Sequence, residues 1–277
     1  MKTLLLLCGL LFYACNPTLN SPQRVETITI DEDQWTLEWS DEFNGPAGQS
    51  PDPSKWSYEV GGHGFGNNQL EFNTDSPENA RLDGDGHLVI TARRQQYLGK
   101  AFTSARLNTE GKFEHTYGRY EFRAKMPSGA GLWPALWLLG ADYGTNTWPA
   151  CGEIDVMEMR GQKPGEVLSS LHGPGYSAGA SKTESLDVTP RLDEAFHIYS
   201  MIWTPDEIRW LIDDQLYHQQ SRNDFSETQP WVFDHPFFII INLAVGGQFV
   251  GPVPDSTRFP AQMYVDYVRV YRAVGDN

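Results

Sequence analysis

The chain has 277 residues, 40% of them apolar, so it can bury a real core; a formal charge of −15 and no lysine or arginine run exclude duplex nucleic acid as a natural partner. A neutral ligand suits that charge better. Aromatic residues make up 13%, including nine Trp and twelve Tyr, and many sit beside Gly, Asn and Asp; they read equally as flat surfaces for sugars or bases and as filling for a sandwich core.

Met1-Lys2 is a short basic start, and Leu4 to Tyr13 is an apolar stretch too short to span a bilayer. The segment ends in "FYAC", which resembles a bacterial lipobox and marks residues 1–15 as an export signal of lipoprotein type, although Phe12 and Tyr13 depart from the usual pattern and leave ordinary cleavage open. Lipidation at Cys15 would tie the protein to an outer membrane or cell surface; the other route makes it periplasmic or secreted. Residues 16–24, "NPTLNSPQR", read as a tether, and residues 25–277 as a single domain. Of three cysteines only Cys151 falls in that domain, so there is no disulfide framework, and no Cys-His pair is in view to make it a nucleophile.

Within the domain the pattern is strand and turn. "ARLDGDGHLVITAR" (80–93) predicts a hairpin about an Asp-Gly turn, and "EIRWLIDDQLYHQ" (207–219) predicts another. "YGRYEFRAKM" (117–126) and "MYVDYVRVYR" (263–272) alternate, and "HPFFIIINLAV" (235–245) reads as a strand buried on both faces. With no long 3.6-residue periodicity, these elements predict an all-β antiparallel sandwich or barrel.

One segment defies strand chemistry. "CGEIDVMEM" (151–159) places three carboxylates among apolar residues. On a strand, Glu153 and Asp155 share a face while Ile154 and Val156 take the other. Regular alternation would then drive Glu158 into the core, at a cost of several kcal/mol for an unpaired buried charge. A one-residue bulge, with Met157 as the extra residue, returns Glu158 to the side of Glu153. The two Cα atoms would stand roughly 13 Å apart, and side chains leaning together could bring the carboxyls to about 5 Å, which permits the ~5–5.5 Å of a retaining glycosidase pair. Asp155, between them, would raise a neighbour's pKa and help hold a proton on a general acid. A calcium site and a solvated edge strand are the competing readings, but calcium ligands usually sit on Asn- and Gly-containing loops rather than alternating with Ile, Val and Met.

With these acids stand "WSDEFNG" (39–45), "GFGNNQLEF" (64–72), "GLWPALWLLG" (131–140), "WPACGEIDVMEM" (148–159), "NLAVGG" (242–247) and "MYVDYVRVYR" (263–272). Together they resemble glycoside hydrolase family 16, in its laminarinase-like branch. The resemblance implies a β-jelly roll of two antiparallel sheets with a concave sugar-binding cleft. It implies a hydrolase that cuts internal β-1,3 or β-1,3-1,4 glucosidic bonds with retention, Glu153 being the nucleophile, Glu158 the general acid/base and Asp155 the residue that tunes them. It also leaves open agar, porphyran or carrageenan as substrates, a non-catalytic β-glucan-binding protein, and a transglycosylase. The substrate contacts it implies are Asn68 (with Asn67 as the alternative), Arg106, Trp133, Trp137, Trp148, His172 and Trp203; for each Trp core packing is the rival role, and either Trp203 or Trp210 is expected to face the cleft. Catalysis needs no cofactor by this resemblance, while a structural Ca2+ would be held by Glu42, the Gly86 carbonyl and Asp266. The expected partner is the polysaccharide, with no nucleic acid and no membrane link beyond a lipid at Cys15, and the protein is expected to be a monomer.

Overall fold

The computed structural model describes residues 26–27 and 34–275; the expected signal, the anchor at Cys15 and the tether lie outside the described residues. Two sheets face each other. The cleft-bearing sheet runs Lys182–Asp187, Glu166–His172, Glu153–Glu158, Leu132–Gly140, Phe237–Val245, Arg106–Asn108 and Ser57–Tyr58, with Glu114–His115 also paired to Phe237–Val245. The larger sheet runs Glu26–Thr27, Gln215–Ser221, Glu207–Ile212, His197–Trp203, Gly118–Lys125, Ala261–Ala273, Leu88–Tyr97, Lys100–Ser104 and Glu71–Asn73, with Trp35–Asp41 and Ala80–Leu82 paired along it. Among these pairings only that of Glu71–Asn73 with Lys100–Ser104 is parallel. The expected all-β, jelly-roll architecture is therefore present.

Both hairpins form where the turn chemistry places them. Ala80–Leu82 pairs with Leu88–Tyr97, and Glu207–Ile212 with Gln215–Ser221. The second closes through Asp213 and Asp214, both at positive φ (48° and 62°), as a two-residue turn between right-twisted strands requires. Phe237–Val245 is buried along its whole length.

The core lies between the sheets. Leu132, Leu136 and Leu138 point into it, whereas Trp133, Trp137 and Leu139 form smaller apolar clusters on the opposite face with Phe238, Ile240, Ala244, Val250 and Cys151. The two-residue period thus divides one strand between core and cleft. Trp203 departs from expectation. It is fully buried, its ring set edge-on to Tyr117 and Phe237, and its indole N–H donates to the Phe233 carbonyl at 3.1 Å. Trp210 is buried as well, so neither member of that pair reaches the cleft. Both belong to the larger sheet, whose inward face is the core, and the residue pattern alone does not say which face of a strand turns inward.

Trp203→Ala removes a large, closely packed ring and should cost about 3–5 kcal/mol of stability. Urea unfolding monitored by circular dichroism checks this; a midpoint unchanged from the parent would contradict the core placement.

Candidate active site

The acidic strand enters from Gly152, whose φ of +76° suits glycine, and where a β-carbon would come within 2.8 Å of the Phe237 ring. The expected bulge follows. On one side Asp155 pairs with Ser170 and Glu158 with Leu168, so Val156 and Met157 together oppose Ser169. On the other side Leu136 is in register with Met157 and Trp137 with Asp155, so the unmatched residue there is Val156 rather than Met157. Ile154, Val156 and Met157 all enter the core. Glu153, Asp155 and Glu158 are left together on the cleft face.

Each glutamate is held by an indole. Trp148 Nε1–H donates to Glu153 Oε2 at 2.9 Å, and Trp133 Nε1–H donates to Glu158 Oε1 at 2.9 Å. Such bonds to an ionised acceptor are worth about 1.5–3 kcal/mol and fix where the carboxylate points. Trp148 is 39% exposed and walls the site from solvent, whereas Trp133 is buried at its floor beside Phe249. Burial, reinforced by the Asp155 charge, raises the pKa of both glutamates; at Glu158 the Glu153 charge adds to this. One of the pair therefore keeps a proton near neutral pH while the other ionises.

His172 completes the group. Its Nε2 lies 3.0 Å from Asp155 Oδ2 and 3.6 Å from Glu153 Oε1. Burial opposes a charged imidazole, but the bond to Asp155 and the three neighbouring carboxylates outweigh it and push His172 up to about 9. The Ala178 N–H pulls the other way, because it donates to Nδ1 at 3.1 Å and needs a lone pair there. In either protonation state Nε2 carries the proton, 3.0 Å from Asp155 Oδ2.

That tautomer bears on metals. Among the described residues Glu153, Asp155 and His172 are the group whose ligand atoms come close enough to surround an ion, all within 4.8 Å. A metal at Nε2 would force the proton onto Nδ1, against the Ala178 N–H, so the set does not suit a metal. Of the expected calcium ligands, the Glu42 and Asp266 side chains meet arginines. Both oxygens of Glu42 accept from Arg269, at 2.9 and 2.8 Å, and Asp266 accepts from Arg123. Gly86 sits in its turn at a φ of +90° beside Asn44.

Other expected contacts assemble into a wall. Trp137 donates to Asn242 Oδ1 at 2.8 Å, and the Arg106 guanidinium stacks between the Trp137 ring (4.6 Å) and the Phe65 ring (4.9 Å). Glu59 Oε2 holds Arg106 Nε at 2.7 Å. Arg106–Asn108 is three strands from the acidic strand, about 14 Å at ~4.8 Å per strand, so this wall extends the cleft well beyond the carboxylates. Asn68 is exposed, at a φ of +55°, on the loop that delivers Phe65; its neighbour Asn67 accepts the Gln248 N–H at 2.9 Å. Asn242, Glu59 and Phe65 were not among the expected contacts. Asn242 does leave a signal, as the one polar residue within the apolar run "FFIIINLAV".

The model of Glycosyl hydrolases family 16 matches residues 66–269, which include every residue of this site except Glu59 and Phe65. The chain belongs to this family. It is 47% identical to a beta-glucanase of Rhodothermus marinus over 251 residues, covering 87% of this chain and 86% of that one. The catalytic domain of an endo-1,3-beta-glucanase (laminarinase) from Thermotoga petrophila superposes with a TM-score of 0.82 at 47% identity, covering 87% of this chain and 98% of that one. The endo-beta-1,3-glucanase of Pyrococcus furiosus superposes with a TM-score of 0.84 at 40% identity, covering 92% and 99%.

If the His172 proton resides on Nε2, its ring 15N shifts near pH 7 will show a protonated Nε2, and titration with Zn2+ will give no stoichiometric binding. Saturable 1:1 zinc uptake lost in His172→Ala would contradict the assignment.

Proposed function

We propose that the protein is a retaining endo-β-1,3-glucanase, a glycoside hydrolase that works by double displacement on laminarin-type polysaccharides. The observation that carries this reading is the bulge, which leaves Glu153 and Glu158 on one face of a single strand. In the first step Glu153, as carboxylate, attacks the anomeric carbon while protonated Glu158 gives its proton to the departing glycosidic oxygen. The C–O bond breaks and a glycosyl ester on Glu153 forms. In the second step Glu158 takes a proton from water, the hydroxide attacks the same carbon, and Glu153 leaves with configuration retained.

The surrounding residues serve this cycle. The Trp148 N–H favours the ionised form of Glu153, as a nucleophile needs. Asp155 places a negative charge beside Glu158 and favours the protonated form that an acid needs. His172 screens Asp155 from Glu153 by holding its Nε2–H 3.0 Å from the Asp155 carboxylate. Trp137, Arg106 and Phe65 offer an aromatic and cationic surface to several further sugars. The preference for β-1,3-glucan rests on the relatives named above. A side-by-side product profile on laminarin, lichenan, agarose and carrageenan tests it, with laminarin cut fastest and to internal fragments. The signal at residues 1–15 supports export with a lipid at Cys15, which intact-mass analysis of the membrane fraction would reveal.

Two indole deletions separate the roles. Removing a donor from a carboxylate raises that carboxylate's pKa, by about one unit for ~1.4 kcal/mol. Trp148→Phe therefore raises Glu153 and moves the acid limb of the pH–kcat/KM profile upward. Trp133→Phe raises Glu158 and moves the alkaline limb upward. Glu153→Gln abolishes turnover without unfolding the protein. If Glu153→Gln kept near-parental rates on every glucan tested, or if both Trp variants moved the same limb, the assignment would fail.

A further inference from the structure

The underside of the acidic strand carries an arrangement that substrate contacts do not explain. Trp210 belongs to the opposite sheet and is fully buried, yet its Nε1–H reaches the backbone carbonyl of Asp155 at 2.9 Å. Ladder carbonyls ordinarily lie in the plane of their sheet and bond to the neighbouring strand. For a donor to arrive from the core, this carbonyl must tilt out of plane, and a bulge supplies that tilt by disrupting the ladder.

A second bridge lies beside the first. His218 is opposite Trp210 in the hairpin, and its ring stacks on the indole, with centroids 4.2 Å apart and planes within 13°. His218 Nδ1 meets Ser169 Oγ at 2.7 Å. Ser169 is the residue that opposes both Val156 and Met157. One hairpin of the far sheet thus holds the bulge from two sides: the acidic strand through Trp210 and its neighbour through His218. Burial keeps His218 neutral, so this contact does not switch with pH over the working range.

We infer that Trp210, seated by His218 and Ser169, is a positioning residue: its N–H fixes the Asp155 carbonyl and with it the backbone turn that sets Glu158 beside Glu153. The indole never meets substrate. It acts on the strand's path, so its loss displaces the reacting groups relative to each other while leaving the sugar-binding wall of Trp137, Arg106 and Phe65 in place. The inference rests on the reading of Glu153 and Glu158 as the reacting pair.

Trp210→Phe keeps a buried aromatic ring but removes the pyrrole half of the indole together with its donor, so its melting temperature is read beside its kinetics. On soluble laminarin its kcat should fall at least fivefold with KM within twofold of the parent. The alkaline limb of its pH profile should move to lower pH, because Asp155 no longer stands as firmly beside Glu158. Ser169→Ala removes a single hydroxyl from the second bridge and should lower kcat at least twofold with the same unchanged KM. A merely structural role would lower the melting temperature and leave kcat and both limbs alone in the folded enzyme, and that result overturns the inference; so does a rise in KM with kcat unchanged. Should Trp210→Phe not fold, Ser169→Ala decides alone: a kcat-only loss supports the proposal and parental kcat overturns it. An inert Glu153→Gln beside a fully active Trp210→Phe would remove this inference and leave the catalytic assignment standing.

Discussion

The structure depends on one irregularity, the doubled step at Val156 and Met157. A strand that alternates without interruption cannot present residues 153, 155 and 158 on one side, since the last has the wrong parity. The bulge resets that parity. It sends two consecutive apolar side chains into the core and releases the next carboxylate to the cleft. The electrostatics follow from this placement: three acids and a histidine share a small, partly dry volume, so their proton affinities are set by one another as much as by solvent.

Holding such a group together takes donors, and the fold supplies them from separate elements. Trp148 comes from the loop before the acidic strand, Trp133 from the adjacent strand, His172 from the strand on the other side, and the Ala178 N–H from the turn beyond it. Each gives a hydrogen bond to a group that would otherwise be a costly buried charge or an unfixed ring. The tryptophan richness of the chain is partly explained by this use: an indole combines an apolar body with a single donor, and three of them here aim that donor at the acidic strand, two at its carboxylates and one at its backbone.

Much of this was legible in the residues. The parity conflict at Glu158 is visible in nine letters, and it requires a bulge because the cost of the alternative is large. Trp133 and Trp137 share a face by their spacing alone. The hairpin about Asp213-Asp214 follows from its turn residues. What was not legible depends on sheet-to-sheet placement. Trp203 and Trp148 look alike in sequence, yet one fills the core and the other stands at the cleft mouth. Arg106 is expected at the substrate, but nothing in the residues shows that Phe65, 41 positions earlier, closes over it. The unmatched residue was misplaced by one because both candidates are apolar and both face inward, so composition does not distinguish them.

The central claim is that the bulged strand presents Glu153 as the attacking group and Glu158 as its proton partner. The most direct measurement is to trap the glycosyl-enzyme with a 2-deoxy-2-fluoro laminaribiosyl fluoride, digest it, and locate the added mass by peptide sequencing. The account predicts one sugar per protein, esterified to Glu153. A label on Glu158 or Asp155, or turnover with no covalent species and inverted product, would contradict it.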